Sequence, residues 1–168
     1  MTKNLATILF TLAILIPLQV LVFRNFVIFD MGFCFVHLLF LLMLPRELNW
    51  SLGMIIALVI GLIIDLFYQT IGIHTAAGVL LMFLKPVWHR YNTPRSGYEV
   101  GDLMLIRTYG LSWYLGYATP LILVYSLATM FIEAGSAGLF GITLIKATLT
   151  AFITLIFILI VQYLFYNK

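Results

Sequence analysis

Among the ionisable side chains that interrupt apolar stretches of this 168-residue sequence are Asp65, His74 and Lys146. A carboxylate, an imidazole and an ammonium in such surroundings could pass protons or ions, bind a polar ligand, or pair with one another to fix how helices pack. Asp65 ends a run in which Gly53, Ala57, Gly61 and Asp65 recur every four residues. On a helix they form one slowly drifting stripe. Small residues at that spacing admit a neighbouring helix closely, so the acid belongs to a packing face and not to a lipid face. Lys146 heads a similar stripe with Thr150 and Thr154, and His74 follows a tight turn after Asp65. Asp65, His74 and Lys146 are therefore predicted to approach one another at one end of a bundle, with Glu133 as a further candidate. A proton or ion pathway needs polar groups at several depths, whereas the other half of each helix is almost purely apolar. A structural cluster is favoured over a transport site or a pocket for lipid or peptide.

Nothing else in the sequence has the pattern of a catalytic centre. A nucleophile elbow, a His-Glu-x-x-His pair, a phosphate-binding glycine loop and a carboxylate cluster are all missing from the sequence. Ser112 with Gly116 is read as a small-residue packing pair. The single cysteine, Cys34, excludes an intramolecular disulfide and a cysteine-rich metal site, and is expected to be a small buried hydrophobe. His37, among Phe35, Leu38 and Phe40, is expected to be a hydrogen-bonded structural histidine. No cofactor is implied. A nucleic-acid partner would need a clustered basic face with aromatic readers, which the sequence does not contain.

The elements that must position these residues are transmembrane helices. Hydrophobic residues make up 64% of the chain and charged ones 9%, against about a quarter charged in soluble domains. So much apolar surface cannot be hidden in a core of its own, and the chain reads as one integral membrane domain, 1–168. Spans are expected at about 4–23, 31–44, 51–68, 73–88, 108–132 and 139–166, in a compact all-α bundle of six transmembrane helices. The first apolar run is long enough to cross a bilayer and offers no small-x-small cleavage site, so it reads as an uncleaved helix that Pro17 kinks. Lys3, Arg46, Lys85, Arg90, Arg95, Arg107 and Lys168 fall on the side with the termini, Arg24 and Lys146 on the other. That imbalance predicts both termini in the cytoplasm. Lys85, Trp88, His89 and Arg90 are expected to form a snorkelling exit from the membrane. Between about Tyr91 and Arg107 lies the one sizeable polar segment, where Arg90, Arg95, Tyr98 and Arg107 are candidates to touch anionic lipid or a cytoskeletal partner.

The helix carrying Gly61-Leu-Ile-Ile-Asp65-Leu-Phe, a short turn with Gly72, an apolar helix ending in a basic loop, and a short second helix leading to Pro45 together resemble the rod shape-determining protein MreD family. In hydropathy the resemblance covers nearly the whole chain; its specific motif is confined to about residues 61–72. The resemblance implies a non-enzymatic, multi-pass protein of the bacterial inner membrane that serves the cell-elongation machinery. It implies MreC as direct partner, and indirect contact with MreB and the RodA–transpeptidase peptidoglycan synthase. It also implies the six-helix fold of the substrate-binding components of energy-coupling-factor vitamin transporters, which keeps a transport function as the alternative. Those components carry an Ala-x-x-x-Ala pattern on the first helix. Here Ala13 is followed four residues on by Pro17, and Ala6 by Phe10, so the pattern is missing.

Overall fold

Apolar runs of about 20 residues, with few breakers and no acid or base at mid-length, satisfy all their backbone groups internally only as helices. The computed structural model follows that rule and describes residues 2–28, 31–95, 97–135 and 140–166. The helices are α1 (Thr2–Leu21), α2 (Leu38–Met43), α3 (Trp50–Tyr68), α4 (Ile73–Tyr91), α5 (Ile106–Tyr109), α6 (Leu111–Ala134) and α7 (Phe140–Tyr166). Four stretches, Ala6–Asn25, Trp50–Tyr68, Leu111–Ala134 and Phe140–Tyr166, are long and apolar enough to cross a membrane. The polarity of the fold is that of a membrane protein. Leu62, Leu66, Phe152 and Leu164 face outward, while Gln19, His37, Asp65, His74, Lys85 and Gln162 are buried.

Helices α3 and α4 form a tight antiparallel hairpin. Gln69 (φ 57°) and Gly72 (φ 77°) take left-handed conformations in the turn between them. Gly53, Ala57, Gly61 and Asp65 are all buried, and their stripe lies against α4. A Cβ on Gly61 would stand 2.4 Å from the Cα of Thr75, so only glycine lets the start of α4 come this near. Helix α4 packs in turn against α6, and α6 against α7.

Two expected spans differ in the structure. The stretch 31–44 is helical only over Leu38–Met43. Before it the chain runs extended and through turns, yet Cys34 to Leu44 are all buried. The span expected over 108–132 is broken at Gly110 (φ 85°), where short α5 ends and α6 begins. Helix α4 reaches 19 residues but carries Lys85, Pro86, His89 and Arg90 in its second half. Asp30, Leu139 and Lys168, which belong to the expected turns, spans and charge count, lie outside the described residues, as does the side chain of Lys3.

Candidate functional site

The irregular stretch 33–44 runs through the middle of the bundle, and its backbone must be satisfied without water. Side chains from the surrounding helices do this. From α1, Gln19 donates Nε2–H to the Cys34 carbonyl (2.9 Å) and accepts the His37 N–H (3.3 Å). From α7, the hydroxyls of Thr150 and Thr154 accept the N–H groups of Phe33 (3.1 Å) and Phe35 (3.0 Å). At the other end α2 leaves carbonyls without helical partners, as any helix terminus must. Lys85 donates to the carbonyls of Leu41 and Leu44 (2.9 Å each), and the Tyr117 hydroxyl donates to Leu42 (2.8 Å). The N–H of Met104, from the loop before α5, donates to Met43 (3.1 Å). Lys85 is thus not a snorkelling residue: it is buried, and its ammonium closes the C-terminal end of α2.

Asp65 holds the opposite pole. Its Oδ1 accepts the hydroxyl of Thr70 (2.5 Å) and the N–H of His74 (3.0 Å). Its Oδ2 accepts both the N–H (2.9 Å) and the hydroxyl (2.6 Å) of Thr75. His74 and Thr75 open α4, where backbone N–H groups lack intrahelical partners and the helix dipole favours an anion. The acid ending α3 therefore caps α4, and Gly61 brings Thr75 within its reach. The Gly-x-x-x-Asp spacing acquires a physical meaning: the glycine makes room for the peptide that the carboxylate binds.

Of the expected cluster, the structure brings Asp65 and His74 together and does not bring Lys146 to them. Lys146 is half-buried and makes no ion pair or hydrogen bond among the described residues. Of the buried polar residues of α7, Thr150 and Thr154 bind the threaded stretch, and Gln162 accepts the N–H of Ile106 (2.8 Å). Glu133 is exposed and lines a cavity of about 60 Å³ with Tyr68, Thr70 and His74. The imidazoles instead meet through a residue that no sequence pattern singles out. The Tyr125 hydroxyl lies 3.0 Å from His74 Nδ1 and 3.0 Å from His37 Nε2. A hydroxyl has one proton, so it donates to at most one ring, and at least one of the two ring nitrogens is the donor. His37 is hydrogen-bonded as expected, although its Nδ1 has no partner among the described residues. Cys34 is buried and free.

The polar segment after α4 is folded onto the bundle. Leu103, Met104 and Leu105 are buried. The Tyr98 ring is enclosed by His89, Tyr109 and Trp113, and the Arg46 guanidinium lies 4.6 Å from its centroid. Burial pushes the Tyr98 hydroxyl up to about 12, and it donates to the Asn92 carbonyl (2.8 Å). Of the four loop candidates, Arg90, Arg95 and Arg107 are exposed, whereas Tyr98 is turned inward.

One wide groove opens on the side of the bundle. It has a volume of about 890 Å³ and lies between α1, the 103–107 stretch and the end of α7. Compared with known proteins, the chain matches no protein family, no curated protein sequence and no solved structure.

Proposed function

We propose that this chain is a non-enzymatic scaffold of the bacterial inner membrane, of the MreD kind, which holds the membrane span of MreC. Through MreC it would serve MreB and the RodA–transpeptidase synthase in cell elongation. The supporting observation is where the interior polar groups are used. Asp65, Gln19, Thr150, Thr154, Lys85 and Tyr117 each hold a backbone segment of the same chain, which makes the bundle a rigid body with an apolar exterior. In this reading the chain crosses the membrane six times, by α1, the threaded stretch, α3, α4, α6 and α7. Both termini are cytoplasmic, in keeping with the groove that Ala6 and Thr7 of α1 share with Phe165 and Tyr166 at the end of α7.

The alternative, a substrate-binding membrane subunit of an energy-coupling-factor vitamin transporter, would use the cavity beside His74 and Glu133. That cavity is about 60 Å³, far below the roughly 300–1,000 Å³ of small-molecule sites. Purification of the chain with its neighbours from a native bacterial membrane tests the choice. Recovery of a bitopic coiled-coil protein is expected. Recovery of ATPase subunits, or of a bound vitamin, would replace the scaffold with the transporter.

A further inference from the structure

The groove between α1 and α7 is built as an amphiphile is built. Ala6, Thr7, Phe10, Thr11, Ile14 and Leu18 line it from α1. From Ala6 to Leu18 is about 18 Å at the rise of an α-helix. Its polar groups lie along the half formed by residues 6–11 of α1, Arg107 and the end of α7. There the Tyr166 hydroxyl and the Thr11 hydroxyl are hydrogen-bonded, Thr11 donates to the Thr7 carbonyl (2.7 Å), and exposed Arg107 stands at the rim. Deeper in, the walls are Ile14, Leu15 and Leu18, faced by Val161. A cation at the mouth, followed by walls that become purely apolar beyond Thr11, matches a phosphate headgroup followed by a hydrocarbon tail.

Depth decides between a lipid and a helix. The hydrocarbon core is about 30 Å thick, so one leaflet is about 15 Å deep. The whole groove, polar part included, is about one leaflet long, and α7 lines it only over residues 161–166, its last turn and a half. A partner helix crossing the whole bilayer would need a seam about twice as long. Charge then selects the headgroup. Arg46, Arg90, Arg95 and Arg107 are exposed around this end of the bundle, which favours an anionic phospholipid over a zwitterionic one. We infer that the α1–α7 groove is a binding site for one anionic phospholipid, with an acyl chain along Phe10, Ile14 and Leu18 and the phosphate at Arg107.

The test uses the full chain in phosphatidylcholine nanodiscs. These contain a trace of either phosphatidylglycerol or phosphatidylcholine bearing the same diazirine on its acyl chain. After illumination, adducts are mapped by peptide mass spectrometry. Adducts are expected to concentrate on Phe10, Ile14 and Phe165, with the anionic probe labelling roughly fivefold more than the zwitterionic one. Arg107→Gln should at least halve that preference, with Arg46, Arg90 and Arg95 still in place, and Ala6→Phe, which fills the mouth, should cut groove labelling by both probes. Both positions are exposed, and an unchanged melting temperature checks that the fold is kept. Equal labelling by the two probes, or adducts as frequent on outward-facing Ile55, Leu62 and Phe152, would overturn the site. So would a benzophenone at position 10 that captures a polypeptide and not a lipid in native membrane.

Discussion

The bundle buries two charged side chains of opposite sign at opposite ends, Asp65 and Lys85, and neither is answered by a counter-ion among the described residues. Asp65 accepts from the N–H groups that open α4; Lys85 donates to the carbonyls that end α2. Each charge sits where the helix dipole favours its sign and where backbone groups lack partners. The two poles differ in how completely they are closed. The carboxylate receives four hydrogen bonds, from Thr70, His74 and Thr75, whereas the ammonium makes two, both to the end of one short helix. A buried charge in this protein is therefore a helix cap before it is half of a salt bridge. The acid pole locks a hairpin of two long helices, and the basic pole holds an irregular stretch in place.

The contrast between the poles is most exposed to attack at the acid. Asp65→Ala leaves two backbone N–H groups and two hydroxyls without their acceptor, and at about 1–3 kcal/mol for each unsatisfied group the expected loss is about 4 kcal/mol. Thermal unfolding in detergent, followed by tryptophan fluorescence, would measure it; a loss below that of Lys85→Met reverses the ranking of the poles. Gly61→Ala should cost somewhat less, about 3 kcal/mol, because its methyl meets the Thr75 backbone and pushes α4 off the carboxylate. Its signature is that Asp65→Ala adds little on top of it. Additive losses would show that Gly61 and Asp65 act independently.

Lys85→Met removes donors from two carbonyls but also relieves the burial of an ammonium, so about 2 kcal/mol is expected. Faster proteolysis of the 38–45 region, with the α3–α4 hairpin still resistant, would be its mark. The smallest effect belongs to Lys146. Lys146→Ala should stay within about 0.5 kcal/mol, and Lys146→Gln should not rescue Asp65→Asn. Rescue in that double variant would restore the ion pair that the geometry replaces with helix caps.

Much of the α3–α4 hairpin is legible in the sequence. The four-residue recurrence of Gly53, Ala57, Gly61 and Asp65 marks a packing face, and Gly72 marks the turn. Position alone puts His74 beside Asp65, because it follows the acid across a short turn. Depth and opposite charge match Lys146 to Asp65 wrongly. Such matching overlooks how a carboxylate can be satisfied by its own helix hairpin, with peptide groups that have no letter in the sequence. The threaded stretch escapes a sequence reading for a related reason. Residues 31–44 are as apolar as a buried helix, and apolar composition alone does not distinguish a helix from an extended chain held by side chains elsewhere. The clue lies in polar residues that sit without evident purpose inside apolar helices: Gln19, Thr150, Thr154 and Lys85.

Composition and run length are enough to set the medium and the main elements. With 64% hydrophobic and 9% charged residues the chain must place its apolar surface in lipid, and runs of that length in lipid must be helical. Which polar groups answer one another is settled by packing alone. Asp65 and Thr75 meet because Gly61 lets two backbones approach, and Gln19, Lys85 and Thr154 converge on one stretch from three different helices. Those partners are largely backbone N–H and carbonyl groups, which nearly every residue carries. Their availability depends on where helices end and how they pack, and not on residue type.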